Sequence, residues 1–315
     1  MKMGFVNTVT GKVNIEDLGC TLVHEHLLLR SEMVTFQFPH LYDEEALYQK
    51  AVDGVKAVKA QGVKTICDPT VAGMGRDVRF LERVSQETGM QIITATGIYS
   101  FTEIPAHFQN RDIDYMTEAL IHDIEVGIQN TSIKAGFLKC AADAEGITPD
   151  LDKVFRAVAR AQKNTGVPIM THSHPASGNG LKQLEIFIEE GVNPKSIMIG
   201  HTGDTDNLDY IHQVLDSGAY IGADRFGQPP LEFAKRYSTL LELLRQGYAN
   251  RIFLSQDYCC SIDWYTDEQV NQMVPDWSIE FLLGEVIPQL RKEGVTEEQI
   301  YTIMHENVKH WFEGK

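Results

Sequence analysis

The chain has 315 residues, 43% of them hydrophobic, and a formal net charge of -16. This length fits two domains or one large barrel, and the acidic balance argues against a nucleic-acid partner, because phosphate binding needs clustered Lys and Arg. No segment approaches the roughly 20 apolar residues of a membrane span, and the first residues lack a signal-peptide core, so we expect a cytoplasmic protein without a membrane partner. The five cysteines lack metal-knuckle spacing and predict reduced, mostly buried thiols.

Short apolar segments alternate with segments of helical periodicity along the whole chain. The predicted strands cover residues 20–29, 65–70, 92–98, 137–142, 168–173, 197–202, 220–225 and 252–257. The predicted helices cover residues 44–61, 78–88, 115–128, 151–165, 180–190, 208–217, 230–246, 277–292 and 297–312. Eight such units predict an α/β fold, a (β/α)8 TIM barrel in which residues 1–315 form a single domain. An open doubly wound sheet is the alternative, but it usually has a Gly-rich turn after its first strand.

Two histidines, His24 and His26, stand one residue apart at the end of the first apolar segment. Because side chains i and i+2 of a strand point to the same face, both imidazoles could bind one metal ion. The alternative is that two polar residues mark the end of a half-buried strand. Further ligands elsewhere in the chain are needed to decide between these interpretations.

In a TIM barrel the catalytic residues come from the carboxyl ends of the strands. The later strand ends supply four more candidates: Lys139, His172, His201 and Asp257. Imidazole and carboxylate groups bind divalent zinc, cobalt, iron or manganese. Each residue alone has a structural explanation, such as a histidine at the core edge or an aspartate that caps a helix. Together they predict a metal centre.

Lys139 requires a separate explanation, because an ammonium group has no lone pair to offer a metal. A buried lysine loses its proton readily, and the free amine can react with carbon dioxide to form a carbamate. This carboxylated Lys139 would bridge two metal ions. The predicted ligand sets are His24, His26 and Asp257 for one ion, and His172 and His201 for the other. The alternative is a charged substrate-binding lysine or a Schiff-base lysine.

The ordered motifs resemble those of the phosphotriesterase family of the amidohydrolase superfamily, most of all its phosphotriesterase-like lactonases. The matching segments are residues 21–26, 133–143, 171–173, 199–206, 224–227 and 254–257. The resemblance implies a TIM barrel with a two-metal centre bridged by carboxylated Lys139 and a hydroxide, and it suggests a homodimer. It also implies hydrolysis of lactones such as N-acyl-homoserine lactones, with weaker activity on organophosphate triesters.

Several residues around the predicted metals have candidate roles, and among them the resemblance singles out Tyr99 and Arg225. Two cations would lower the pKa of a shared water, and Asp257 would pass a proton to the leaving alkoxide, unless it is only a ligand. Tyr99 would donate to the substrate carbonyl or pack as an aromatic lid residue. Arg225 would position the lid over the site or the substrate, or it would pair with a carboxylate at the surface. Trp277 would form an apolar wall, or belong to the core or an interface. Asp204 and Asp206 have the spacing of helix caps rather than of a proton relay.

Some positions depart from the family pattern, notably residues 99–107 and Ala223, which would reshape the pocket. Residues 259–275 are expected to cover the active site and to select the substrate. Three hypotheses follow: a lactonase that also accepts phosphotriesters and acts on γ- and δ-lactones, a phosphotriesterase or other ester hydrolase of the same fold, and a metal-bound barrel that only binds ligands.

Overall fold

The structure is a computed structural model that describes residues 4–229 and 231–314. An antiparallel hairpin, β1 (Phe5–Thr8) and β2 (Gly11–Asn14), precedes a parallel sheet of eight strands in this part of the chain. The parallel strands are β3 (Thr21–Leu22), β4 (Thr65–Asp68), β5 (Gln91–Ile98), β6 (Phe137–Ala141), β7 (Ile169–His172), β8 (Ile197–Gly200), β9 (Tyr220–Ala223) and β10 (Ile252–Leu254). Each pairs with the next along the chain, so sheet order follows sequence order.

Helices connect the strands and cover the outside of the sheet. They are α1 (Glu32–Gln37), α2 (Glu44–Ala60), α3 (Val78–Thr88), α4 (Ala106–Gln109), α5 (Ile113–Glu125), α6 (Pro149–Thr165), α7 (Asn179–Glu189), α8 (Leu208–Asp216), α9 (Phe233–Arg245), α10 (Asp267–Met273), α11 (Ile287–Lys292), α12 (Glu297–Tyr301) and α13 (Asn307–Glu313). Helix α6 shows why such segments begin and end where they do. The Thr148 side chain accepts the Leu151 N–H at its start, and Gly166 takes a left-handed conformation at its end.

Backbone hydrogen bonds beyond the ends of β3 and β10 nearly close the sheet into a barrel. The His26 N–H donates to the Tyr258 carbonyl (2.7 Å), and the Cys260 N–H donates to the His26 carbonyl (2.9 Å). The Asp257 N–H donates to the His24 carbonyl (3.1 Å). The predicted (β/α)8 barrel is confirmed, and the seam places the first and last candidate ligands side by side.

Large apolar side chains fill the amino-terminal end of the barrel. Trp311 of α13 packs against Phe137 and Phe253, with ring centroids 5.7 and 5.6 Å apart. Tyr220, at the start of β9, stacks on Phe253 at 4.8 Å. The polar candidates lie at the opposite end, where the strands finish. The barrel is therefore packed at one end and polar at the other, as in other TIM barrels.

The helix predicted over residues 277–292 begins later than expected. The Trp277 indole N–H donates to the Gln256 carbonyl (2.9 Å), and the Leu282 N–H donates to the Gln256 side-chain oxygen (2.8 Å). These bonds hold the segment in a loop, and a π-helical turn (Leu282–Val286) then leads into α11. A second π-helical turn (Thr302–Glu306) divides the last predicted helix.

Two predictions about the chain as a whole can be compared with the structure. Among residues 4–229 and 231–314, no helix combines the length and apolar character needed to cross a membrane. The five cysteines are all free thiols, and four of them are buried. The prediction of unpaired, mostly buried cysteines is confirmed.

Candidate metal centre

The predicted ligands meet at the carboxyl ends of the strands. The four histidines and the lysine are at most 3% exposed, and the Asp257 side chain is 12% exposed. Ring centroids are 5.6 Å apart for His24 and His26, and 5.1 Å apart for His24 and His201. His172 and His201 are 4.5 Å apart. The histidines thus form one compact cluster.

Asp257 lies at the centre of this cluster. Its Oδ1 is 3.3 Å from the Nε2 atoms of both His24 and His26, and its Oδ2 is 3.9 Å from His201 Nε2. Ligand atoms of His24, His201 and Asp257 all lie within 4.8 Å of one another, a spacing that suits a metal ion. Asp257 caps no helix, because Thr266 caps the next one, α10.

Asp224, the last residue before Arg225, fixes two of the histidines. Its Oδ2 is 2.7 Å from His24 Nδ1, and its Oδ1 is 3.1 Å from His201 Nδ1. The His201 backbone N–H also donates to Oδ1 (2.8 Å). This arrangement matches metal-binding histidines, whose second ring nitrogen usually donates to an oxygen that sets tautomer and orientation.

The other two histidines are fixed in the same way. His26 Nδ1 is 2.7 Å from the Thr70 hydroxyl, and His172 Nε2 is 2.7 Å from Asp143 Oδ2. Sequence reasoning assigned no role to Thr70, Asp143 or Asp224. For Asp224 there was a signal, since a carboxylate at a strand end beside Arg225 is a candidate partner for neighbouring histidines.

Burial keeps several of these imidazoles neutral. It lowers the pKa of His24, lowers that of His172 to about 4 and lowers that of His201 well below its usual value. A neutral imidazole retains the lone pair that binds a metal. These three imidazoles therefore suit a divalent cation without first having to lose protons at neutral pH.

Lys139 of β6 is buried beside the histidines, with Nζ 3.2 Å from His24 Nε2. Burial lowers its pKa to about 8, even though Asp257 and Asp224 favour the charged form. A substantial fraction of the amine is then neutral near physiological pH. This is the form that reacts with carbon dioxide, so the environment fits a carboxylated lysine.

Two candidate ligands have a strained backbone. His201 and Asp257 have φ values of 63° and 51°, in the left-handed region that non-glycine residues rarely occupy. His201 directly follows β8, and Asp257 lies shortly after the end of β10. Strain of this kind collects at functional sites, where surrounding hydrogen bonds hold it in place.

Tyr99 and Arg225 both face the cluster. The Tyr99 hydroxyl is 3.3 Å from His172 Nδ1, and burial raises its pKa, so the phenol remains a neutral donor. Arg225 donates from Nε to Asp257 Oδ2 (3.0 Å) and from Nη1 to Asp204 Oδ2 (3.1 Å). Arg225 therefore pairs with carboxylates inside the site and not at the surface.

The interpretation of Asp204 and Asp206 as helix caps is wrong. Helix α8 is capped by Asn207, whose side chain accepts the Tyr210 N–H (3.2 Å). Asp204 is instead buried between two guanidinium groups, those of Arg225 and Arg236. Burying a carboxylate requires such paired cations, which a helix terminus alone does not provide.

A cavity of about 280 Å³ opens above the candidate ligands. Aromatic side chains from three loop segments line it: Tyr99, Phe101, Trp264, Tyr265 and Trp277. Tyr99 is 5.1 Å from Phe101 and 6.2 Å from Trp264 between ring centroids. Sequence reasoning had placed residues 259–275 over the site and Trp277 in its wall, but had not singled out Trp264.

The sequence profile of the phosphotriesterase family matches residues 4–312. The chain is 50% identical over 309 residues to the aryldialkylphosphatase of Saccharolobus solfataricus, covering 96% of this chain and 98% of that protein. It is 38% identical over 317 residues to the phosphotriesterase homology protein of Mycobacterium tuberculosis, covering 98% and 97%. The solved structure of the phosphotriesterase from Mycobacterium tuberculosis matches with a TM-score of 0.95 and 38% identity, covering 98% of both chains. The chain therefore belongs to the phosphotriesterase family of the amidohydrolase superfamily, whose members are metal-dependent hydrolases.

Proposed function

We propose that this protein is a lactonase that uses two divalent metal ions to open N-acyl-homoserine lactones and γ- and δ-lactones, with weaker activity on phosphotriesters. The observation that carries the proposal is the histidine cluster. One nitrogen of each ring is held by an oxygen. The Nε2 atoms of His24, His26 and His201 face Asp257, and His172 Nδ1 lies 3.3 Å from the Tyr99 hydroxyl. Zinc, cobalt, iron and manganese all suit these donors.

We divide the ligands as follows, so that the group of His24, His201 and Asp257 spans both ions. Asp257 Oδ1 is equidistant from His24 and His26, so these three residues would hold one ion. His172 and His201 would hold the other, with carboxylated Lys139 between the two ions. When bound, the cations would supply a water of lowered pKa and would polarise the carbonyl or phosphoryl oxygen of the substrate.

The protein's own groups would then orient the substrate and move the proton. Tyr99 would donate its phenolic hydrogen to a substrate oxygen, because burial keeps that proton in place. Asp257 would take up a proton and pass it to the leaving alkoxide. Burial would raise the pKa of Asp257, but its neighbours, among them the charged Arg225, hold the pKa well below its usual value, so the group rests as a carboxylate that can accept the proton.

Arg225 would keep Asp257 in position throughout. Its Nε donates to Oδ2 and leaves Oδ1 directed at His24 and His26. Because a guanidinium stays charged in proteins, Arg225 remains a donor over the whole working pH range. The aromatic side chains of the cavity would contact the apolar part of the substrate.

A phosphotriesterase without significant lactonase activity is the second candidate. The name of the Saccharolobus solfataricus relative, an aryldialkylphosphatase at 50% identity, favours it. The deciding experiment compares kcat/KM of one metal-loaded preparation for long-chain N-acyl-homoserine lactones, γ- and δ-lactones and paraoxon. Our proposal predicts higher values for at least one lactone class than for paraoxon. Turnover of paraoxon with no turnover of any lactone would leave the second candidate.

We further propose that the protein is a single-domain homodimer that acts in the cytoplasm on small-molecule lactones or esters. Its net charge of -16 supports the absence of nucleic-acid partners. Light scattering coupled to gel filtration should give twice the mass of one 35.4 kDa chain. A mass of one chain at micromolar concentration would contradict the dimer.

A further inference from the structure

A buried glutamate, Glu25, stands in the chain between the two histidines that follow the first parallel strand, and it is 0% exposed. Its carboxylate accepts three hydrogen bonds, all from residues 255–258, which we call the Asp257 segment. The Ser255 hydroxyl (2.7 Å) and the Gln256 N–H (3.2 Å) donate to Oε1, and the Tyr258 N–H (2.8 Å) donates to Oε2. One carboxylate therefore binds both chain neighbours of Asp257.

The backbone of Asp257 needs such support. Its φ of 51° lies in the left-handed region that non-glycine residues rarely occupy. The Asp257 N–H donates to the His24 carbonyl (3.1 Å), while the N–H groups on either side of it donate to Glu25. Two adjacent residues thus hold three successive amides. A strained conformation persists where surrounding contacts fix it, and here Glu25 supplies two of them.

Ser255 connects Glu25 to the other side of the metal centre. Its hydroxyl donates to Glu25 Oε1 and accepts from the His24 N–H (3.1 Å). The side chains of His24 and Asp257 approach to 3.3 Å between Nε2 and Oδ1. One buried network of hydrogen bonds therefore sets the positions of two candidate ligands that are far apart in the sequence.

Glu25 is not explained by packing or by charge pairing. Among residues 4–229 and 231–314, no lysine or arginine forms an ion pair with it. Burying a carboxyl group without a cation is unfavourable, and an apolar side chain of similar volume is often at least as stabilising. The presence of Glu25 is therefore better explained by what its two oxygens hold in place.

We propose that Glu25 is a positioning residue that keeps Asp257 in the conformation in which it binds metal. It acts through the backbone of the Asp257 segment and does not contact metal or substrate. The inference rests on the proposed binding of one ion by Asp257 and the two histidines beside Glu25. Loss of one acceptor oxygen from Glu25 should weaken the binding of that ion and spare the second ion.

The test is Glu25→Gln, which keeps the size of the side chain but replaces one acceptor oxygen with an NH2 group. The N–H of either Gln256 or Tyr258 then lacks an acceptor. In metal titrations, affinity for the ion at Asp257 should fall by about tenfold, the lower end of the effect of groups that orient metal ligands. Excess metal should restore kcat/KM, because the defect lies in metal binding.

Cadmium NMR of the cadmium-loaded protein shows which ion changes. The unaltered protein should give two resonances, and Asp257→Asn should identify the one that belongs to the ion at Asp257. Glu25→Gln should displace that same resonance and leave the other in place. Displacement of both resonances equally, or of neither, would assign Glu25 a merely structural role and overturn the inference.

Asp123→Asn is the matched control for the change from acid to amide. The Asp123 carboxylate of α5 accepts from Arg76 (2.8 Å) and Thr96 (2.6 Å), so its loss also removes hydrogen bonds of a partly buried acid. This variant should lower the melting temperature and leave both cadmium resonances unchanged. Displacement of the Asp257 resonance in Asp123→Asn as well would show that general loosening is sufficient, and would overturn the inference.

Hydrogen exchange of the metal-free protein keeps this inference separate from the proposed function. The amides of Gln256 and Tyr258 should be protected without metal, and one of them should exchange about tenfold faster in Glu25→Gln, the upper end of the value of one hydrogen bond. Rapid exchange of both amides in the unaltered protein would overturn the inference, even if Glu25→Gln fails to fold. Protected amides that Glu25→Gln releases, in a protein without lactone turnover or with a single cadmium resonance, would overturn only the proposed function.

Discussion

The metal centre and the wall of the cavity above it are built in different ways. The candidate ligands lie in strands or within four residues of a strand end. One ring nitrogen of each histidine is hydrogen-bonded to a carboxylate or hydroxyl oxygen that holds the ring in place. The wall residues lie on loops, and among them Trp264 is 40% exposed. The difference indicates that the sheet fixes the chemistry and the loops select the substrate. Changes in the metal centre should therefore have larger effects than changes in the wall.

The largest effect is expected from Lys139→Ala. Loss of the bridging group should remove metal and lower kcat/KM by about 10³-fold or more, since metal ions contribute several kcal/mol to catalysis. Metal content and activity should fall together. A short carboxylic acid such as acetate should restore part of both by occupying the vacated space, and bicarbonate should assist reconstitution of metal-stripped unaltered enzyme. Full activity of Lys139→Ala without added acid would rule out the bridge.

Asp224→Asn should have the next largest effect. An amide cannot accept from His24 and His201 as the carboxylate does, so both rings lose their orientation. Changes of this kind lower metal affinity or activity by about 10- to 100-fold. Metal titration would measure the loss of affinity, and kcat/KM would measure the loss of activity. Asp206→Asn is the matched control, because it removes the same charge from an exposed residue that pairs with the exposed Lys235 at 3.8 Å, and it should behave as the unaltered protein.

Tyr99 stands between the two regions, since its hydroxyl faces His172 while its ring belongs to the wall. Tyr99→Phe should lower kcat for lactones by about tenfold, the upper end of the value of one hydrogen bond, and leave metal content unchanged. Tyr265→Phe, which removes another phenol from the same cavity, should have little effect. Equal kcat in Tyr99→Phe and the unaltered protein would assign Tyr99 a packing role only.

The smallest effect is expected from Trp264→Phe in the wall. A smaller ring should reduce contact with the acyl chain and change the preference for long over short lactones by about threefold. Metal content and the pH profile should remain those of the unaltered protein. A loss of metal in this variant would show that the loop and the centre are not independent.

The sequence predicted the barrel and the candidate ligands because both depend on local pattern. Eight apolar segments mark the strands, and ligands such as His24 and His172 stand at their ends, where parallel strands bring them together. The hairpin of β1 and β2 was missed for a local reason as well. Its two-residue turn is Val9–Thr10, which lacks the glycine or asparagine that usually marks such turns.

Other features depend on contacts between distant segments, which one sequence does not reveal. Asp224 binds His24 from 200 positions away along the chain. Asp204 looked like a helix cap, because its two arginine partners become neighbours only in the folded barrel. The start of the helix after Trp277 likewise depends on a bond to Gln256, 21 residues earlier. Such contacts form only when the folded barrel brings distant segments together, so local sequence patterns do not predict them.

The central claim is that Lys139, once carboxylated, bridges two metal ions held by the histidine cluster. Elemental analysis of the purified protein, combined with a high-resolution crystal structure of the same sample, tests it most directly. We predict two divalent ions per chain and density for a carboxyl group on Lys139 Nζ, with Asp257 contacting one ion. A single ion per chain, or an unmodified Lys139 in fully active enzyme, would contradict the account.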